Sequence, residues 1–159
     1  MRVFLVTHGI NDLHCGERGV GRKQITQAAD FLKDKKLGLD LSKTALLASQ
    51  STRDAIPISA EIMGQVLGLR GATEVNWPTD DTGESTLQEL QKFAATHPEL
   101  ENIIWVSHAV EIENLLDQFG LHAITGNGSV YCIDLATGKA EHLFEPTFEP
   151  MARDRHRQA

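Results

Sequence analysis

The sequence predicts a single α/β domain, a three-layer sandwich in which helices cover both faces of a mainly parallel central sheet. Three observations predict this fold. The chain has 159 residues, which is enough for one domain with a buried core. Its apolar runs of strand length are continuous rather than alternating, as in strands that are covered on both faces. Segments with helical spacing separate these runs, and alternation of strand and helix is typical of parallel sheets.

The apolar runs predict the strands in chain order. Four runs have strand length, at residues 3–6, 45–48, 103–106 and 130–133. Glu74-Val75 is a candidate for a further short strand. Residues 129–135 and 141–144 flank Thr137-Gly138, so they predict an antiparallel hairpin that closes the sheet.

Four stripes of mainly apolar residues predict four helices, because their members recur every three or four positions. The stripes are Ile25, Ala28, Ala29 and Leu32; Ala55, Ser59, Ile62, Met63 and Val66; Leu87, Leu90 and Ala94; and Ile112, Leu115, Leu116 and Phe119.

Composition excludes several classes of function. The net charge of −7 and the isoelectric point near 5.4 argue against general binding of nucleic acid or membrane surfaces, since a polyanion would be repelled. No stretch approaches the ~20 apolar residues that a membrane span needs, so the cytoplasm is the expected location. Cys15 and Cys132 form neither a disulfide framework nor a zinc-binding pair, and no dinucleotide fingerprint is present. We therefore expect neither a metal nor a cofactor.

Polar residues follow three of the predicted strands. His8-Gly9 follows the first strand, residues 49–53 follow the second and end in Arg53, and Ser107-His108 follows the strand at 103–106. Ligands of open α/β sheets bind beyond the carboxyl ends of the strands, where helix N-termini present free amides. Two imidazoles and a guanidinium in one crevice suit transfer of a phosphoryl group, with one histidine as the nucleophile.

The order of these residues resembles that of the histidine phosphatase, or phosphoglycerate-mutase-like, superfamily. That family has Arg-His-Gly after its first strand, Gly-x-x-Gln at the start of its first helix and Val-Ser-His-Gly around its second histidine. Here the corresponding segments are Thr7-His8-Gly9, Gly21-Arg22-Lys23-Gln24 and Val106-Ser107-His108-Ala109. Between them, Ser49 leads to Arg53-Asp54-Ala55. The match runs from residue 3 to about 144, and the short chain is similar to the small phosphohistidine phosphatases.

The resemblance implies a role for each matched residue. His8 would be the nucleophile that becomes phosphorylated, and Arg53 would clamp the phosphate. His108 would stabilise the transferring group, with Gly9 and Ala109 beside the two histidines. Glu84 is the candidate for the acid that protonates the leaving oxygen, although an acidic residue there also suits the start of a helix.

Thr7 is the main departure from the family, because relatives carry a phosphate-binding arginine at this position. A donor aimed at charge that develops in a transition state can contribute ~10²–10³ in rate. Either Arg18 or Arg22 restores the positive charge, or the protein is an impaired pseudophosphatase that binds phosphate or a phosphorylated partner in a regulatory role. The sequence leaves both alternatives open.

The leading hypothesis is a metal-independent phosphatase that acts on a small phosphorylated molecule or a phosphoprotein. A sugar-phosphate or glycerate mutase is disfavoured, because the chain is short for a substrate lid. We assign residues 1–145 to the catalytic-type domain and 146–159 to a C-terminal tail. The tail is expected to be solvated, with a subunit contact in a homodimer as the alternative.

Overall fold

The computed structural model describes residues 1–10 and 19–147, and within these ranges it contains six strands and four α-helices. The elements in chain order are β1 Arg2–Thr7, α1 Val20–Leu32, β2 Thr44–Ser49, α2 Ala55–Leu67, β3 Thr73–Val75, α3 Glu84–Thr96, β4 Asn102–Ser107, α4 Ala109–Asp117, β5 Val130–Asp134 and β6 Lys139–Phe144. Two short 3₁₀ turns, Lys35–Leu37 and Leu41–Lys43, connect α1 to β2.

The six strands form one mixed sheet in the order β3-β2-β4-β1-β5-β6. The first four strands in this order run parallel, and β5 and β6 pair antiparallel at one side. The predicted mainly parallel sheet and closing hairpin are therefore confirmed. Thr7 pairs with Ser107 at the carboxyl ends of β1 and β4, so these two strands end level with each other.

Helices cover both faces of the sheet. One core cluster packs α1 and α2 against side chains such as Phe4 and Val6, and a second packs α3 and α4 against Val3 and Leu5. Successive residues of β1 thus enter opposite cores, and all four are fully buried. This two-sided burial is the physical reason why the strand runs are apolar without alternation, and it gives the predicted three layers.

The fourth helix is shorter than its apolar stripe. α4 ends at Asp117, whereas the predicted stripe continued to Phe119. Phe119 lies in the following turn, where its backbone N–H donates to the carbonyl of Leu116, and it still packs on the core. A hydrophobic position can therefore be buried just beyond the end of the helix that its spacing predicted.

The described part of the chain end is held against α1. The backbone N–H of Thr147 donates to Oε1 of Gln27 at 2.7 Å, and Nε2 of Gln27 donates back to the carbonyl of Thr147. The remainder of the predicted tail, residues 148–159, lies outside the described residues, as does Arg18. No helix in the described part of the chain is long and apolar enough to cross a membrane.

Candidate active site

Three adjacent strands carry the candidate residues to one edge of the sheet. β4 lies between β1 and β2, and all three run parallel. His8 follows β1, His108 is the N-cap of α4 directly after β4, and Arg53 lies in the turn between β2 and α2. The carboxyl ends of parallel strands meet at one edge, so residues far apart in the sequence come together here.

The imidazoles of His8 and His108 face each other. Their ring centroids are 5.3 Å apart and their planes meet at 87°, an edge-to-face arrangement. Both residues are half-buried. The backbone fixes the start of this loop, because the N–H of His8 donates to the carbonyl of Ser107 at 3.1 Å and Nδ2 of Asn127 donates to the carbonyl of His8 at 3.0 Å.

One hydrogen bond defines the chemistry of the His8 ring. Nδ1 of His8 lies 2.7 Å from the carbonyl oxygen of Gly9. A carbonyl oxygen only accepts, so Nδ1 must carry the proton in this contact. In the neutral ring the lone pair is then on Nε2, which is the atom left to act as a nucleophile or as a hydrogen-bond acceptor.

The surroundings of both rings favour the neutral form of the imidazole. Burial lowers the pKa of His8; the hydrogen bond to Gly9 opposes this effect and the neighbouring His108 adds to it. Burial also lowers the pKa of His108, and the positive charge of Arg53 lowers it further. A neutral imidazole keeps the nucleophilic lone pair that protonation would remove.

Gly9 allows a close approach between the strand end and α1. A Cβ atom at Gly9 would lie 2.6 Å from the carbonyl oxygen of Gly21, a distance that real side chains do not tolerate. The backbone N–H of Gly9 donates to Oγ of Ser59 at 3.0 Å, and that of Ile10 donates to Oε1 of Gln24 at 3.1 Å. The loop after His8 is therefore anchored to both helices on this face of the sheet.

Positive charge at the site comes from Arg53 and from the start of α4. Arg53 is exposed, and its backbone N–H donates to Oγ of Ser51 at 3.1 Å. Ala109 is the first residue of α4, and no side chain caps this helix at His108. The first-turn amides of a helix have no partner within it, so this N-terminus can bind an anion.

Thr7, directly before His8, contributes no charge to the site. Its side chain is 1% exposed, and its Oγ1 has no hydrogen-bond partner among the residues that the structure describes. Its backbone is engaged, because its N–H donates to the carbonyl of Ser129 at 3.2 Å and its carbonyl accepts from the N–H of Gly128 at 2.9 Å. The hydroxyl is thus a buried polar group that directly precedes His8.

Arg22 and Glu84 lie at the starts of α1 and α3. Arg22 is half-buried, and its Nε is buried with no hydrogen-bond partner in residues 1–10 and 19–147. The residue before it, Gly21, packs closely against Gly9. Glu84 is exposed. The residue before it, Gly83, packs against the backbone of Asn114 in the middle of α4, and a Cβ atom on Gly83 would overlap the carbonyl of Asn114. Asn114 is six residues beyond His108, so the start of α3 meets α4 about 9 Å along the helix from His108.

One polar residue of the crevice was absent from the sequence-based set. Glu111 lies in the first turn of α4 and is half-buried. Burial raises the pKa of its carboxyl group, and the hydroxyls of Ser107 and Ser49 oppose that shift. These hydroxyls are themselves 2.7 Å apart. Its position three residues after His108 is the signal that could have identified it, since residues at i and i+3 share a helix face.

Residues 1–10 and 19–147 contain no group of three His, Cys, Asp or Glu side chains close enough to hold a metal ion. The polar groups that converge here are instead suited to an anion, because imidazole N–H, guanidinium and helix amides are all donors.

No protein-family model and no curated protein sequence matches the chain. Solved structures do match it. The protein histidine phosphatase SixA complexed with tungstate is 18% identical with a TM-score of 0.64, and the match covers 92% of this chain and 97% of SixA. A mycobacterial glucosyl-3-phosphoglycerate phosphatase complexed with VO3 is 16% identical with a TM-score of 0.63, over 92% and 99% of the two chains.

A third similar structure is a mutant phosphoserine phosphatase from Entamoeba histolytica in complex with phosphoserine. It is 13% identical with a TM-score of 0.60, over 92% of this chain and 96% of that one. The three structures are phosphatases by name and match nearly the whole chain. The protein therefore has the histidine phosphatase, or phosphoglycerate-mutase-like, fold that its sequence motifs indicate.

Proposed function

We propose that the protein is a metal-independent phosphatase that hydrolyses a phosphomonoester or a phosphohistidine through a phosphohistidine intermediate on His8. The observation that carries the proposal is the pair of facing imidazoles at the carboxyl edge of the sheet, 5.3 Å apart. The fold shared with three phosphatases supports it.

In the first step, Nε2 of His8 attacks the phosphorus of the substrate. A bond forms between Nε2 and phosphorus while the bond from phosphorus to the leaving oxygen or nitrogen breaks. The leaving atom takes a proton from a carboxylic acid, for which Glu84 is the candidate from sequence. The Nδ1 contact with the carbonyl of Gly9 supports this step, because it leaves the Nε2 lone pair free for attack.

In the second step, water attacks the phosphorus and the bond to Nε2 breaks. Inorganic phosphate leaves, one proton of the water returns to the carboxylate, and His8 regains its neutral form. The lowered pKa of His8, caused mainly by burial, supports its return to the free base between turnovers.

Negative charge on the phosphoryl oxygens needs donors that are already in place. Two such donors are the guanidinium of Arg53 and the N–H of the His108 ring. The charge of Arg53 adds to the burial that lowers the pKa of His108. The amides at the start of α4 are a third, with Ala109 at the first helical position. Fixed donors of this kind stabilise a transition state without having to reorganise during the reaction.

The expected partner is a small phosphorylated molecule or a phosphoprotein, by analogy with the phosphatases of the same fold. The net charge of −7 disfavours nucleic acid and anionic membranes as partners. A cytoplasmic location, a homodimer contact through the tail, and phosphate binding by Arg18 or Arg22 remain part of this proposal.

The direct test is release of phosphate from a generic aryl phosphate and from a phosphohistidine peptide. We expect turnover by the wild-type protein and a loss of at least about 10³-fold in His8→Ala, because the nucleophile is removed. Unchanged thermal unfolding of His8→Ala would show that the loss is chemical.

Thr7 favours a second candidate function, a catalytically impaired protein that binds phosphate or a phosphorylated partner. The site lacks the arginine of relatives, and the Thr7 hydroxyl is buried without a partner. Undetectable phosphate release, together with tungstate binding that survives His8→Ala, would establish this alternative and end the enzymatic one.

A further inference from the structure

Glu111 lies on the same side of α4 as the second histidine. It occupies the third helical position after the N-cap His108 and is half-buried. Residues three apart on a helix are neighbours. An ionised carboxyl group in the first turn of α4 would repel a phosphate bound at the start of this helix.

The carboxyl group spans the ends of two strands. The two hydroxyls that act on its pKa belong to Ser107 and Ser49, the last residues of β4 and β2. β4 adjoins β1, from which His8 follows, and neighbouring strands are about 4.8 Å apart. Glu111 is therefore one to two strand spacings from the nucleophile, roughly 5–10 Å, which is room for a phosphoryl group and its leaving atom.

The surroundings of Glu111 favour the neutral acid. The hydroxyl oxygens of Ser49 and Ser107 are 2.7 Å apart, so one of these hydroxyls donates its proton to the other. At most one of the two hydroxyl protons is then left to stabilise an ionised Glu111. Burial raises the pKa of Glu111, and the two serine hydroxyls oppose that shift.

A small polar cavity of about 120 Å³ opens beside this carboxyl group. Ser49, Gln50, Asn76, Trp77 and Thr79 contribute to its walls, and Glu111 is the only ionisable residue among the described residues that line it. Two residues of the candidate site lie on the adjoining elements, His108 at the N-cap of the same helix and Arg53 in the turn after β2, and neither lines this cavity. The cavity offers a leaving group polar surroundings and one proton donor.

We propose that Glu111 is the acid that protonates the leaving atom. The resemblance in sequence had given this role to Glu84. The inference rests on the proposed phosphatase function. As Nε2 of His8 bonds to phosphorus, the proton of the Glu111 carboxyl group moves to the leaving atom and the bond from phosphorus to that atom breaks. In the second step the Glu111 carboxylate takes a proton from the attacking water.

The test compares two substrates that differ in their need for an acid. Phenyl phosphate has a basic leaving oxygen that needs a proton, whereas 2,4-dinitrophenyl phosphate has a leaving oxygen stable as an anion. The measured quantity is kcat/KM, which reports transfer to His8. We expect Glu111→Gln to lower kcat/KM for phenyl phosphate by about 10²–10³-fold and for the dinitrophenyl ester by less than about threefold.

Glu113→Gln is the matched control, because it makes the same substitution two residues away on the same helix. The Glu113 carboxylate accepts a hydrogen bond from the backbone N–H of Thr125 at 2.8 Å, which a glutamine oxygen can also accept. Both substrates should retain kcat/KM within about twofold in this variant. Glu111→Asp is the second test variant, with a smaller but equally selective loss, and it applies even if Glu111→Gln does not fold.

Each outcome supports or overturns a defined statement. An equal loss with both substrates in the Glu111 variants, or no loss with either, overturns the acid role and leaves the phosphatase proposal intact. If Glu84→Gln, and not the Glu111 variants, lowers kcat/KM for phenyl phosphate alone, the acid role belongs to Glu84 and the proposal for Glu111 is overturned. Absence of phosphate release from the dinitrophenyl ester by the wild-type protein, or full release by His8→Ala, would refute the phosphatase proposal itself.

Discussion

The ring of His8 stands edge-on to the ring of His108, with centroids 5.3 Å apart, although the two residues are separated by a hundred positions in the chain (108 − 8). The carbonyl of Gly9 fixes the tautomer of the His8 ring, while burial and the charge of Arg53 lower the pKa of His108. The two rings thus have different environments, as the different roles proposed for them require.

The first prediction concerns pH. Because burial lowers the pKa of His8 and of His108, both rings should titrate below 6.5 in an NMR pH titration. Between the lowered pKa and 6.5 the unfolded chain binds more protons than the folded protein. Stability should therefore decline as the pH falls through that window. Arg53→Gln should raise the His108 midpoint, since a neighbouring positive charge is removed; midpoints at or above 6.5 in the wild-type protein would contradict the electrostatic account.

The second prediction concerns the uncharged residue that precedes His8. Thr7→Arg should increase kcat/KM for an aryl phosphate by about tenfold or more, because it adds a cation where negative charge develops. Thr7→Val is the control for shape: it should give no such gain, while removal of the unpartnered Oγ1 should increase the free energy of unfolding by about 1 kcal/mol. An unchanged rate in Thr7→Arg would mean that Arg18, Arg22 or another group already supplies the charge.

The third prediction concerns backbone packing beneath the nucleophile. Gly9→Ala should lower the free energy of unfolding by about 1–3 kcal/mol, because the added methyl group would overlap the carbonyl of Gly21. Chemical denaturation measures this loss. Gly71→Ala is the control, since a Cβ there meets no atom within 4 Å, and it should change stability by less than about 0.5 kcal/mol. Similar effects of the two substitutions would show that the approach of Gly9 to α1 is not tight in solution.

The strands, the helices and the meeting of His8 with His108 could be predicted from sequence for a shared reason. Burial on both faces leaves a continuous apolar run, and parallel strands must bring their carboxyl ends to one edge. Neither property depends on the details of side-chain placement. The end of α4 at Asp117 was missed because Phe119, which is half-buried, still packs against the core after the helix has ended.

Finer features of the site could not be predicted because they depend on contacts between distant segments. Asn127 reaches the carbonyl of His8 across 119 positions, and Ser49 meets Ser107 across 58. The environment of Glu111 depends on the second of these contacts. No local pattern reports whether such groups meet, so the resemblance to the family pointed to Glu84 and Glu111 was overlooked.

The most direct test of the central claim is to trap the covalent intermediate. The protein is mixed with an aryl phosphate, quenched rapidly in alkali, digested and analysed by peptide mass spectrometry, with His108→Ala beside the wild-type protein. We predict one acid-labile phosphoryl group on the peptide that contains His8, on the His8 ring, and slower formation of it in His108→Ala. Turnover without a phosphoryl group on His8, or with the group on another residue, would contradict the account.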